Sequence, residues 1–121
     1  MIKAYYLYTG PDGHSHVTPG SIVDNETIPA ESILYEETPP RSHLDWHNAP
    51  TTQYVITLAG VLEFTTHTDE TFTINPGDIL IAEDTTGSGH KWRLTNDQPW
   101  KRVYVAFKKD TKMNFRADDK R

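Results

Sequence analysis

Pro76-Gly77-Asp78-Ile79-Leu80-Ile81-Ala82-Glu83-Asp84-Thr85-Thr86-Gly87-Ser88-Gly89-His90 packs a turn, a strand, a loop and the opening of a second strand into one short stretch. Asn75-Pro76-Gly77-Asp78 is a turn sequence, because Pro presets φ and Gly tolerates the left-handed region. Ile79–Glu83 is then β-rich, and the glycines at 87 and 89 return the chain into 90–95. The same grammar repeats outward in both directions. Ala4–Thr9 ends at Gly10-Pro11-Asp12-Gly13, and Ile33–Glu37 ends at Pro39-Pro40. Gln53–Ala59 and Val61–Thr66 flank Gly60, where a kink or bulge is expected. Glu70–Ile74 follows His67-Thr68-Asp69, and Arg102–Phe107 follows Asn96-Asp97-Gln98-Pro99. Eight prolines and seven glycines leave no uninterrupted helical stripe. The pattern predicts an all-β domain of at least eight strands with antiparallel neighbours. No internal repeat at solenoid or propeller periods appears.

Two stretches within residues 45–94 carry a resemblance to the paired motifs of the cupin superfamily. The first cupin motif has a His-x-His pair, a later Glu, and a Gly after six more residues. Here Asp45-Trp46-His47 is followed by Gln53 and then Gly60. The second motif has Pro-Gly-Asp opening a strand and Gly-x-x-His at its far end, matched by Pro76-Gly77-Asp78 and Gly87-Ser88-Gly89-His90. Asp45 stands where the first His is usual, and Gln53 where the Glu is usual. The resemblance, closest in kind to small single-domain bacterial cupins, implies a small double-stranded β-helix, a cupin-type jelly-roll barrel. It also implies a homodimer, by analogy with cupins that pair through a sheet face. Residues 1–108 are expected to form the single barrel domain, and 109–121 a charged, flexible tail.

Strand periodicity groups the same residues. If 41–47 is extended, His43, Asp45 and His47 share a face; Gln53 shares one with Val55 and Thr57, and His90 with Trp92 and Leu94. His90 is therefore expected on the apolar, inward side, where its ring nitrogens need a metal, a carboxylate, water or a ligand.

Three readings of this group stand side by side. In the metal reading, Asp45, His47 and His90 form a two-His-one-carboxylate set with Gln53 as a weaker fourth oxygen, suited to Fe, Mn, Ni or Zn as divalent ions. In the metal-free reading there is no cofactor. His47, His90 and an inward Glu83, in phase with Ile79 and Ile81, act as acid and base in a lyase or isomerase reaction. An oxygenase would need the metal. In the third reading His47 and His90 are satisfied core histidines of a non-catalytic module that binds a small molecule.

Gln53, Trp92, Tyr54 and Trp46 are the candidate ligand-binding residues, with structural hydrogen bonding or packing as their plainer roles. Asp45 could equally cap a turn, and 83–87 could be a turn satisfied by its own carboxylates and hydroxyls. His14 and His16 share a face but lack an evident third ligand, and His67 is expected in solvent.

Bulk composition narrows the partners. The formal charge of −5 and the absence of a basic run beyond Lys108-Lys109 argue against nucleic acid and against an anionic membrane surface. No apolar run is long enough to span a bilayer, and the start of the chain lacks a signal-peptide pattern. The absence of cysteine removes disulfides and thiolate ligands, and fits a cytoplasmic protein. The expected partner is a small polar metabolite.

Overall fold

The computed structural model describes residues 1–119, and among these there is no helix. In chain order the strands are β1 (Ile2–Thr9), β2 (Ser15–Ile22), β3 (Ala30–Thr38), β4 (His43–His47), β5 (Gln53–Ala59), β6 (Leu62–Thr66), β7 (Thr71–Ile74), β8 (Ile79–Glu83), β9 (His90–Leu94), β10 (Trp100–Phe107) and β11 (Phe115–Ala117). They form a seven-stranded sheet ordered β11-β2-β1-β8-β5-β10-β3 and a four-stranded sheet ordered β4-β9-β6-β7. This is the all-β architecture that the turn pattern and the motifs implied. Hydrogen bonding among the described residues does not close the two sheets into the expected barrel, and the architecture is two separate sheets with the core between them.

Gly60, at φ +94°, lies where the chain leaves β5 in the larger sheet and enters β6 in the smaller one. The kink expected there is a change of sheet.

The core lies between the sheets. Leu7, Val55 and Leu80 from the larger sheet meet Leu62, Phe64, Phe72, Ile74 and Leu94 from the smaller. Phe64 stacks on Phe72 at 5.2 Å, and Trp92 meets Trp100 edge-on at 4.7 Å. Each fully buried side chain of this size contributes roughly 1.5–3 kcal/mol. Trp100 satisfies its indole N–H by donating to Thr57 Oγ1 at 3.1 Å.

β2 carries Pro19-Gly20 within a strand, with Pro19 paired to Tyr5. The Pro19 carbonyl accepts the Asp118 N–H at 3.0 Å on the side away from β1, so the N–H that proline lacks is missing on the outer side of the strand. The tail expected to be flexible is corrected over part of its length. Phe115–Ala117 pairs with β2, and Asn114 is buried, its carbonyl taking the Val23 N–H at 2.7 Å and its side-chain oxygen taking the Tyr54 hydroxyl. Residues 120 and 121 of that tail lie outside the described residues.

Candidate functional site

A cavity of about 290 Å³ opens between the sheets. Its walls include His47, Gln53, His90, Trp92, Trp100 and Arg102. Strand alternation brings them together: β9 buries His90, Trp92 and Leu94 while Lys91 and Arg93 stay exposed, and β5 buries Gln53, Val55 and Thr57.

β4 departs from simple alternation. Leu44 pairs with Trp92, but His47 pairs with His90, so Asp45 and Trp46 together oppose Lys91. This β-bulge shifts the phase by one residue. Leu44 and His47 line the cavity, whereas Asp45 lines an outer groove with His43, Glu63, Lys91 and Arg93. The expected common face of His43, Asp45 and His47 is thereby corrected. Asp45 Oδ1 accepts the Trp46 N–H at 2.8 Å, the local turn-like role weighed for it above. Trp46 stacks on His67 at 3.5 Å with the Lys91 ammonium 5.0 Å from its ring centre, so it belongs to the outside rather than to the cavity, and His67 is not simply solvated.

Inside, the two imidazoles meet edge to face with ring centres 4.3 Å apart. Gly89 makes this approach possible: at φ +77°, a Cβ there would sit 2.3 Å from the His47 carbonyl oxygen. His47 donates its Nδ1–H to the Asp45 carbonyl at 2.7 Å, which leaves Nε2 with its lone pair. Burial pushes His47 below the ordinary histidine value, an effect partly offset by that hydrogen bond and reinforced by the neighbouring His90.

His90 Nδ1 lies 2.5 Å from Asp84 Oδ2, and the same oxygen accepts the Ser15 hydroxyl at 2.6 Å. An ionised carboxylate can only accept, so Nδ1 carries the proton, and in the neutral imidazole Nε2 keeps its lone pair. Asp84 is fully buried, and its Oδ1 has no hydrogen-bond partner among the described residues.

Asp84 is the residue that sequence reasoning missed, and Glu83 is the one it misdirected. Glu83 does share a face with Ile79 and Ile81, but that face is the outer one, where its carboxylate accepts the Tyr6 hydroxyl. Burial, with Glu83 adding to it, pushes the Tyr6 hydroxyl well above its ordinary value. Leu80, Ala82 and Asp84 form the inward phase. β8 lies between β1 and β5 and is apolar on both faces, so alternation alone could not choose between them. Tyr54 likewise faces outward, packed on Phe107 at 4.5 Å. Arg102 was also missed, although it is in phase with Trp100 and Tyr104.

With Asp45 outside, the expected metal set reduces to two imidazoles and the neutral Gln53 amide. No group of three or more His, Cys, Asp or Glu side chains suited to a metal ion occurs among the described residues. Asp84 Oδ2 is taken by His90 and Ser15, and the carboxylate stands behind Nδ1 of His90 rather than beside Nε2. The residues present therefore do not fit the two-His-one-carboxylate pattern.

No protein-family model matches the chain, and no curated protein matches it. Among solved structures, it is similar to the Cupin_2 domain of an XRE-family transcriptional regulator from Enterobacter cloacae. The two share 16% identity over 90% of this chain and 100% of that one, with a TM-score of 0.37.

Proposed function

We propose that this chain is a small cupin-like enzyme that moves a proton on a small polar metabolite, in a lyase or isomerase type of reaction, with His47 and His90 as the proton-handling pair. The observation that carries the reading is the buried Asp84–His90 contact placed against His47 at the cavity wall. Asp84 holds His90 in one tautomer, so Nε2 is ready to accept, and a proton taken there forms an ion pair with the carboxylate behind it. His47, kept neutral by burial, is a second acceptor beside it. Two adjacent sites of this kind can remove a proton from one atom and return it to another. The cavity volume suits a small metabolite.

A second reading is favoured by the aromatic wall of Trp92 and Trp100 and by the outward turn of Glu83: a module that binds such a metabolite without transforming it. Deuterium exchange separates the two. Incubation of the purified chain with a library of small hydroxy, keto and amino acids in D₂O, followed by NMR, should show incorporation at carbon for at least one compound. H47A and H90A should abolish it. Ligand-dependent shifts without exchange would establish the binding module instead.

No helix among the described residues is long and apolar enough to cross a membrane. The acidic, cysteine-free composition supports a cytoplasmic setting, and a homodimer completes the proposal.

A further inference from the structure

We infer that the metabolite is a small carboxylic acid, held by its carboxylate against Arg102; this rests on the reading of the cavity as a metabolite site. Arg102 is 5% exposed and lines the cavity with His47 and His90. Its guanidinium carbon lies 3.9 Å from the Trp100 ring centre and 5.5 Å from that of Tyr104. Nε donates to the Tyr104 hydroxyl at 3.1 Å, and Nη1 to Thr38 Oγ1 at 2.5 Å and to the Trp100 carbonyl at 3.1 Å. Nη2 donates to Glu36 Oε2 at 2.9 Å. A guanidinium carries five N–H donors, so one on Nη2 is left without an acceptor among the described residues.

The pairing is asymmetric. The guanidinium is nearly buried, whereas the Glu36 side chain is 46% exposed on β3, the outermost strand of its sheet. A cation removed from water needs a close anion. Here that anion sits on the cavity rim and can swing into solvent. A ligand carboxylate entering the cavity meets a planar fork already fixed by Trp100, Thr38 and Tyr104, and takes over the Nη2 side from Glu36. The aromatic floor under the guanidinium and the small volume favour a compact acid over a phosphate ester, which would call for more donors than the one Lys or Arg side chain that the described residues place in this wall. Anchored there, the rest of the acid extends toward His47, His90 and Gln53.

The test is calorimetric titration of the purified chain with malonate, succinate and glutarate, each against its diamide as a neutral control of similar shape. At least one diacid should bind, with its diamide weaker by roughly tenfold or more. R102K should lose roughly tenfold in affinity, because a flexible ammonium lacks the bonds to Tyr104, Thr38 and the Trp100 carbonyl that fix the Nη2 donors in place. E36Q should bind the diacid several-fold more tightly, because the competing anion is gone. If Arg102 and Glu36 merely staple β10 to β3, E36Q lowers the melting temperature and leaves affinity unchanged, and the inference fails. It also fails if acids and amides bind alike or if neither binds. Failure here leaves the proton-transfer reading intact if exchange in D₂O still depends on His47 and His90. Conversely, Arg102-dependent binding of acids with no exchange overturns that reading and not this one.

Discussion

Asp84 and His90 are joined by a 2.5 Å contact between Oδ2 and Nδ1, and both side chains are shielded from water. The imidazole is thereby fixed from behind, with its second nitrogen left to whatever occupies the cavity. D84N should keep the fold, since its amide fills the same space and can still accept from Ser15. It should redistribute the His90 tautomers and slow the reaction on the order of a hundredfold or more. Imidazole ¹⁵N shifts check the first part independently of turnover: unchanged His90 shifts in D84N would show that the carboxylate does not set the tautomer.

His47 should titrate below the histidine reference value of 6.5, because burial disfavours its charged form. Its folded value is depressed, so the unfolded chain binds more protons near and below that reference. Folding stability linked to His47 is therefore lost as pH falls through 6.5 and is regained above it. An NMR titration of ring C–H shifts measures the value directly, and a midpoint above the reference would contradict the burial argument.

The opposite sign is expected at His16. Its Nε2 lies 2.8 Å from Asp12 and its Nδ1 3.0 Å from Glu70, so both nitrogens can donate to these carboxylates when the ring is protonated. The Asp12 hydrogen bond raises His16, and hydrogen bonds from the His14 backbone and from His16 lower Asp12. The His16 contribution is complete below its unfolded value near 6.5 and fades as pH rises through the higher folded value. The Asp12 contribution is present above 3.8 and fades below it. The melting temperature of wild type should exceed that of H16Q most between these limits, near pH 5, and the gap should shrink by pH 8–9 (about the alkaline end of histidine titration).

G89A should disturb the site by backbone displacement. A Cβ at 89 has no room beside the His47 carbonyl, and the positive φ adds strain of about 1–3 kcal/mol. The expected result is a lower melting temperature together with loss of the contact between the two imidazoles, seen as a changed ring-current shift on His47. A variant of wild-type stability and shifts would show that β4 can yield without cost.

β3 should mediate self-association. Among the described residues it pairs with β10 alone, and Ile33, Leu34 and Tyr35 are each more than half exposed on this edge strand. An antiparallel pair of identical strands obeys two-fold symmetry, so a second copy fits this edge. Sedimentation velocity should show a dimer for wild type and a monomer for I33K/Y35K, whereas a monomer for both would end this expectation.

Much of the architecture was legible because turns punctuate it. Gln53–Ala59 and Ile79–Glu83 were readable to the residue, bounded by glycine, proline and asparagine on the chain itself. The placing of His47, Gln53, His90 and Trp92 along one cavity follows from period-two alternation and from the cupin-like spacing. What could not be read depended on long-range partners. Glu83 and Asp84 are adjacent carboxylates at the end of a strand apolar on both faces, and distant partners, Tyr6 for one and Ser15 with His90 for the other, decide which one turns inward. Asn114 looks like part of a polar tail until Tyr54 and Val23 supply its hydrogen bonds. Asp45 was assigned to the wrong side because a bulge leaves no mark in hydropathy.

That bulge makes chain spacing a determinant of cavity charge. The extra residue now falls between Leu44 and His47, and an aliphatic side chain faces Trp92 as a result. Were it to fall before Leu44, Asp45 would take that place and a carboxylate would join the two imidazoles, with no side chain altered. Relatives with the same residues at 45, 47 and 90 can thus differ by a unit of negative charge in the cavity, and so in whether they can hold a dication. Single-residue insertions and deletions around this strand are the changes to look for when tracing gain or loss of metal dependence among such proteins.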